Sequence, residues 1–179
     1  MKQQSLTNQS GVTLIELIIT ISVAAILLSI AVPSMVQFLN QNGVRTTCSE
    51  LADSLNMAKA EGIKRSAGGA NLVFVAPSCG STWSDGWFVF LDDQAAPDQC
   101  FTAATETALQ RSNPRVRDVL VTLSAASGSS ATAYVGFNGQ GLPRDKDGAF
   151  AAGTWTCAKS GVNNSTVTIS SLGRVRSSK

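Results

Sequence analysis

The sequence predicts an α+β protein, in which one long N-terminal helix packs on an antiparallel, β-sandwich-like globular domain. Residues Val12 to Val32 form a single apolar run, whereas the rest of the 179-residue chain is polar and rich in Gly, Ser, Thr and Ala. After Gly69, short runs typical of β-strands alternate with turn residues. The hydrophobic residues are therefore divided between two environments, and we expect one folded domain with one anchor.

Composition argues against several classes of chemistry. The chain has no histidine, which removes Ser-His-Asp and Cys-His nucleophiles and every zinc site that contains histidine. We therefore expect no enzymatic activity, no cofactor and no metal site. The formal net charge is only +2 at pH 7, so binding of an anionic partner requires local clustering of basic residues.

The apolar run is long enough to cross a hydrocarbon core about 30 Å thick. A signal peptide cleaved after the run fits poorly, because the run exceeds an ordinary h-region and Ser29-Ile30-Ala31 is only a loose cleavage site. A plain membrane anchor leaves Glu16 unexplained, since an acidic side chain there costs on the order of 2 to 3 kcal/mol. Glu16 therefore indicates that the helix has a second partner.

The segment Gly11–Leu17 (GVTLIEL) resembles the N-terminal signal of type IV pilins and type II secretion pseudopilins. The resemblance implies that a prepilin peptidase cuts between Gly11 and Val12 and N-methylates Val12, a position where phenylalanine is usual. It also implies that Glu16 meets the N-terminal amine of a neighbouring subunit in the filament. Such a subunit starts in the inner membrane with a periplasmic domain, and then joins other major and minor pilins in a pilus or pseudopilus.

The helix is expected to run from about Thr13 to Arg65, with a bend at Pro33, which lacks the backbone N–H. An apolar or small stripe with steps of four and three residues predicts the face that packs on the domain, and Arg45, Ser49, Asn56 and Lys59 lie off it. The stripe comprises Val44, Cys48, Leu51, Leu55, Ala58 and Gly62. The expected segments are a leader over 1–11, a membrane and filament-core half over 12–33, an amphipathic half over 34–66 and a β-rich domain over 67–179.

Six strands are expected in the globular domain, and the run Trp87–Leu91 is apolar on both faces, which favours an internal strand. The carboxylates Asp92 and Asp93 after it are interpreted as a turn. The segment Asp145–Gly148 suggests a calcium loop only faintly, because the distal glutamate ligand is absent, and a solvated turn is favoured. The expected strands cover residues 71–76, 86–91, 119–123, 132–137, 153–157 and 166–170.

The run Asp85–Asp92 (DGWFVFLD) resembles a motif of the FimT/FimU/GspH branch of minor pilins. This branch is narrower than the pilins at large. The resemblance implies the fold of the branch, in which a long helix packs on a β-sandwich-like domain.

Four cysteines, with no C-x-x-C pair among them, favour disulfides formed after export over a four-thiolate zinc site or reduced thiols. Cys79 and Cys100 flank the run Trp87–Leu91 and the loop before it, so a bridge between them would staple that connection. Cys48 with Cys157 is then the complementary pair. Four cysteines allow three pairings, and the sequence does not choose among them.

The C-terminal residues 171–179 carry three cations, Arg174, Arg176 and Lys179, and no acid. In a strand, Arg174 and Arg176 would project from one face, about 6 to 7 Å apart, with Val175 toward the core. Two guanidiniums so placed can bind successive phosphates. Gly173 would permit a turn or the close approach of a phosphate backbone. The alternative is a solvated basic edge that discourages strand-to-strand aggregation.

The sequence Gly173-Arg174-Val175-Arg176 resembles the DNA-binding motif of FimT-type minor pilins. The resemblance implies binding of extracellular double-stranded DNA through its phosphate backbone, without sequence preference, for uptake in natural transformation. A second basic group, Arg111, Arg115 and Arg117, would extend this surface. The alternative function is that of a structural minor pilin, or a type II secretion minor pseudopilin, which primes or caps the filament without binding DNA.

Overall fold

The computed structural model describes residues 12–65, 72–91, 100–114, 118–126, 133–145 and 147–178. The chain divides into two compact units, Met1–Phe38 and Leu39–Lys179, which we describe separately. The expected leader and the residues Asp92, Asp93, Arg115, Arg117 and Lys179 lie outside the described residues.

Helix α1 spans Leu14–Arg65, as predicted, and continues through Pro33. Its start is capped by Thr13, whose hydroxyl accepts a hydrogen bond from the Glu16 backbone N–H at 3.3 Å and whose carbonyl accepts one from the N–H of Leu17. Glu16 lies in the first turn, where the helix dipole favours a negative charge. In the described part of the chain, α1 is the one helix long and apolar enough to cross a membrane.

The predicted packing stripe of α1 is confirmed, because all six of its residues are buried. Residues 12–39 are exposed in the structure, and burial begins in the following turn. The buried residues of the helix are Gly43, Val44, Thr47, Cys48, Leu51, Ala52, Ser54, Leu55, Ala58 and Gly62.

Antiparallel strands build the remainder of the described chain, in two sheets ordered β3-β2-β1-β5-β6 and β4-β7-β8-β9. A short 3-10 helix, Trp83–Asp85, precedes β2. The strands are β1 Val73–Ala76, β2 Trp87–Leu91, β3 Thr107–Ser112, β4 Leu120–Ala125, β5 Val135–Phe137, β6 Pro143–Arg144, β7 Gly153–Ala158, β8 Ser165–Ile169 and β9 Val175–Ser178.

The six expected strands are confirmed as β1, β2, β4, β5, β7 and β8, with ends shifted by up to three residues. The internal position of β2 is confirmed as well, because it pairs with β1 and β3. Strands β3 and β6 were not expected from the sequence. Strand β3 lies at a sheet edge and its residues are mostly exposed or half-buried, so it lacks the apolar alternation of a strand. Strand β6 is two residues long and begins with Pro143, which suits an edge.

One main core collects buried side chains from α1 and from both sheets, including Trp87, Trp155 and Phe137. The indole N–H of Trp87 donates to the Ser54 hydroxyl at 3.0 Å, which ties β2 to the helix. A smaller aromatic cluster contains Phe74 and Phe90. Because neighbouring residues of a strand point to opposite faces, the two cores explain why β2 is apolar on both faces.

The four cysteines all lie in the described part of the chain and form two disulfides. Cys48 of α1 joins Cys157 of β7, and both residues are buried. Cys79 joins Cys100 across the loop that precedes β2 and the segment that follows it. Of the three possible pairings, this is the one in which Cys79–Cys100 staples the loop and Cys48–Cys157 joins the helix to a strand.

Candidate functional site

The C-terminal motif begins in the turn between β8 and β9, where Gly173 and Arg174 precede the strand, and its second arginine, Arg176, lies within β9. Ile169 pairs with Val175, and the turn is closed by hydrogen bonds from Gly173 N to Ser170 O at 2.9 Å and from Ser170 N to Arg174 O at 3.0 Å. Gly173 has a φ of 70°, the left-handed conformation that three-residue hairpin loops place at their last position. The backbone N–H of Arg174 also donates to the hydroxyl of Ser170 at 3.2 Å. The start of the motif is therefore fixed by its own turn.

Two roles are expected for Gly173, a turn and the close approach of a phosphate backbone. Gly173 is buried, which is compatible with the turn and not with the approach of a phosphate. A Cβ at this position would overlap the carbonyl oxygen of Gly141, so the backbone approach that glycine permits is to Gly141 of the same chain. The ammonium group of Lys59 on α1 donates to the Gly173 carbonyl at 2.8 Å. Gly173 thus shapes the turn and anchors it between the helix and the β5–β6 connection.

Lys59 and Gly141 support this turn and were not identified from the sequence as site residues. Lys59 was placed off the packing stripe of α1, where a solvated lysine is the usual expectation. Its half-buried position and its bond to a carbonyl 114 residues away depend on the tertiary fold. For Gly141, the sequence shows only a glycine in the turn that follows Asn138, and this does not reveal its contact with Gly173.

Arg174 and Arg176 are both exposed, and Val175 between them is half-buried against the main core. Exposure therefore alternates along residues 174–176, as expected for extended backbone; Arg174 precedes β9 and Arg176 lies within it. Arg176 pairs with Thr168 of β8, and the other edge of β9 is open in the sheet. Among the described residues, neither guanidinium forms an ion pair. Two uncompensated positive charges therefore face solvent side by side.

Arg111 is not part of this pair. It lies on β3, at the edge of the other sheet, and its guanidinium sits 5.5 Å from the centroid of the Phe88 ring. The pocket that it lines also includes Glu50 and Asp53. Carboxylates therefore accompany Arg111, in contrast to Arg174 and Arg176.

The N-terminal site residues are described only in part. Val12 and Glu16 are exposed at the start of α1, and Gly11 lies outside the described residues. Elsewhere in the described chain, no cluster of three His, Cys, Asp or Glu side chains is placed to hold a metal ion. The chemistry that the exposed arginines can supply is the binding of anions.

Comparison with known proteins gives two family matches along the sequence. The family described as "Type II transport protein GspH" matches residues 47–173, and the "Prokaryotic N-terminal methylation motif" matches residues 6–32. No curated protein matches the chain significantly.

Two solved structures of the Pseudomonas aeruginosa type IV minor pilin FimU share the fold. One, in space group P21, superposes with a TM-score of 0.57 at 15% identity, covering 79% of this chain and 92% of that one. The other, in space group P65, gives a TM-score of 0.51 at 14% identity, covering 75% of this chain and 92% of that one.

The methylation motif together with the apolar helix is the arrangement of a membrane-anchored pilin, which later enters a pilus or pseudopilus. The GspH match spans most of the chain and covers the globular domain. The chain therefore belongs to the GspH family and is a minor pilin or pseudopilin of the GspH/FimU type.

Proposed function

We propose that this minor pilin binds extracellular double-stranded DNA through Arg174 and Arg176, for uptake in natural transformation. The observation that carries the proposal is the exposure of two neighbouring arginines, Arg174 directly before β9 and Arg176 within it, with no ion pair among the described residues. Guanidinium groups bind phosphate oxygens in a two-pronged geometry. The fixed turn at Gly173 supports the proposal, because it holds the start of this strand in place before any ligand arrives.

The expected binding is weak, sensitive to salt and indifferent to base sequence. The chain carries a net charge of only +2, so the attraction comes from the local cluster and not from the whole molecule. Contacts to phosphates carry no direct sequence information. Each phosphate neutralised lowers log K by about 0.9 per unit of log salt, so two contacts give a slope near −2. Several subunits in one filament, or a tip complex, would add avidity.

The remaining basic candidates are secondary in this proposal. Lys179, Arg115 and Arg117 would add phosphate contacts, but they lie outside the described residues. Arg111 is expected to contribute less than the arginines of β9, because Glu50 and Asp53 line its pocket and repel an approaching phosphate.

A binding assay with a matched control tests the proposal. The full chain in non-ionic detergent is titrated with a fluorescent duplex, and the variant Arg174→Ala/Arg176→Ala is compared with Lys64→Ala/Arg65→Ala, which removes the same charge from the end of α1. We expect the first variant to bind about tenfold more weakly, since each exposed phosphate contact contributes up to about 1 kcal/mol. Equal affinities of the wild type and the β9 variant would refute the proposal.

In the cell, transformation frequency of the same double variant tests the uptake role. Piliation and twitching serve as controls, because a variant that fails to assemble would also lose transformation. We expect transformation to fall while piliation is retained. A loss of piliation in step with transformation would instead assign Arg174 and Arg176 to assembly.

The second candidate function is that of a purely structural minor pilin or minor pseudopilin, which primes or caps the filament. The description of the matching family as a type II transport protein favours it. In that case the arginines of β9 protect an open sheet edge from pairing with other strands. A wild-type protein that does not bind DNA at low salt, combined with a filament defect on deletion, would support this function.

We also propose the processing and assembly roles of the N-terminal residues. Cleavage between Gly11 and Val12 would leave Val12 as the methylated first residue, and Glu16 would then pair with the amine of a neighbouring subunit. The intact mass of the membrane-extracted protein should correspond to a chain that starts at N-methylated Val12. A start at Val32 would indicate an ordinary signal peptide instead.

A further inference from the structure

Strand β9 runs alongside α1 in the opposite direction, and a seam lies between them. At one end of the seam, Lys59 donates to the carbonyl of Gly173. At the other end, a cavity of about 260 Å³ opens between the helix and the end of the strand. The residues lining this cavity are Arg45, Thr46, Cys48, Ser49, Ser165, Ser177 and Ser178.

The lining of the cavity suits a phosphate group. It consists of one guanidinium, five hydroxyl side chains and a half-cystine, with no carboxylate among them. Arg45 is exposed and has no ion pair among the described residues. Serine and threonine hydroxyls donate to phosphate oxygens, and arginine neutralises their charge.

Ser165 adds an independent sign of a ligand. Its side chain is 3% exposed, and its hydroxyl has no hydrogen-bond partner within the described structure. A buried hydroxyl without a partner is costly, so in native proteins such a group usually meets an ordered water or a bound ion. Ser165 lines the cavity together with Arg45, and rotation of its short side chain about χ1 would turn the buried hydroxyl toward an oxygen atom bound there.

The cavity lies near the end of β9 that is farther from the turn. Arg174 lies directly before β9 and Arg176 within it, whereas Ser178 is the last residue of the strand and lines the cavity with Arg45. At about 3.3 Å per residue, Ser178 is roughly 13 Å along the strand direction from Arg174. A nucleic acid that follows β9 from the turn would therefore reach the cavity as well.

We infer that Arg45, with the hydroxyls of Ser165, Ser49 and Ser177, forms a further phosphate site that extends the DNA-contacting surface from β9 onto α1. This inference rests on the proposed function of Arg174 and Arg176. The ligand is a phosphate of the DNA backbone. Arg45 contacts it directly, and the hydroxyl of Ser165 donates a hydrogen bond to it without adding charge.

Two variants with different electrostatic consequences test the site. Arg45→Gln removes a charge, Ser165→Ala removes only the buried hydroxyl, and Lys64→Gln removes an exposed charge from the end of α1 as a matched control. The dissociation constant of the full chain in non-ionic detergent for a 20-base-pair duplex is measured from low to moderate NaCl.

We expect Arg45→Gln to weaken binding about two- to fivefold at low salt and to reduce the slope of log K against log salt by about 0.9. Ser165→Ala should weaken binding about twofold with an unchanged slope, because no charge is lost. Its thermal stability should be equal to or above that of the wild type, since an unsatisfied hydroxyl is removed. Lys64→Gln should leave both the constant and the slope near the wild-type values.

The outcomes separate this inference from the proposed function. If Arg174→Ala/Arg176→Ala loses binding while Arg45→Gln matches the wild type, the site on α1 is refuted and the proposed function stands. If no variant differs from the wild type, both are refuted. A titration with inorganic phosphate, followed by the amide resonances of Ser165 and Ser177, distinguishes the source of the ligand. Saturation by phosphate without competition from DNA would refute a DNA site.

Discussion

Asp85, Gly86 and Trp87 are adjacent residues with three different physical roles. The carboxylate of Asp85 accepts hydrogen bonds from the backbone N–H of Thr82 at 2.9 Å and from its hydroxyl at 2.8 Å, and these bonds lower the pKa of Asp85. Gly86 passes so close to the backbone of Ser112 that a side chain there would clash. Trp87 is fully buried. Turn geometry, close backbone packing and burial therefore account for the residue types at these three positions of the motif.

Gly173 offers the sharpest test at the scale of one residue. Gly173→Ala should cost about 1 kcal/mol or more for the left-handed backbone and about 1 to 3 kcal/mol for overlap with the backbone of Gly141. Gly161 is the matched control, since its φ of 80° is similar but nothing surrounds the position of its Cβ. Gly161→Ala should therefore cost only the backbone part, about 1 kcal/mol.

Urea unfolding of both variants, together with DNA affinity, provides the measurement. We expect Gly173→Ala to be the less stable of the two and to bind DNA more weakly, although Arg174 and Arg176 are intact. Equal stability of the two variants would mean that the contact with Gly141 contributes little and that only the turn conformation requires glycine.

At the scale of elements, α1 was predicted almost to the residue, because a 3.6-residue periodicity and a long apolar run are both strong local signals. The strands at sheet edges were predicted less well. Strand β3 is largely polar and β6 has two residues, so neither shows a pattern that distinguishes a strand from a loop. Strand β3 is a strand because it pairs with β2, and β6 because it pairs with β5. Such pairing depends on the tertiary fold and leaves no local pattern in the sequence.

The two disulfides should differ in their effect on stability. Cys48–Cys157 closes a separation of 109 residues and joins α1 to β7, whereas Cys79–Cys100 closes a separation of 21. The loop-entropy estimate then gives about 5 kcal/mol for the first bridge and about 3 kcal/mol for the second. Urea unfolding of Cys48→Ala/Cys157→Ala and of Cys79→Ala/Cys100→Ala should show this order. The reverse order would indicate that packing around the bridge near β2 outweighs loop length.

At the scale of the whole molecule, the core lies in the unit Leu39–Lys179, and the apolar residues of 12–39 are exposed. The sequence alone indicated both facts, because the apolar run and the packing stripe occupy different parts of one helix. Of the candidate site, only the charged residues of the motif could be predicted from the sequence. Arg174 and Arg176 are visible as a motif, but Lys59, Gly141 and Ser165 act through contacts with residues far away in the sequence.

The division into two units predicts where the chain tolerates truncation. A fragment that starts at Leu39 loses no buried residue of α1, because burial begins at Gly43. We expect it to fold as a soluble domain with an unfolding temperature within a few degrees of the full chain in detergent. A fragment that starts at Ser49 also lacks Val44 and Cys48, and with Cys48 the bridge to β7. The loss of this bridge should lower the free energy of unfolding by about 5 kcal/mol or more, and the unfolding temperature by about 10 to 20 °C.

Circular dichroism melting of the two fragments compares their unfolding temperatures directly. If the fragment from Leu39 melts as low as the fragment from Ser49, the exposed half of α1 stabilises the domain and the two units are not independent.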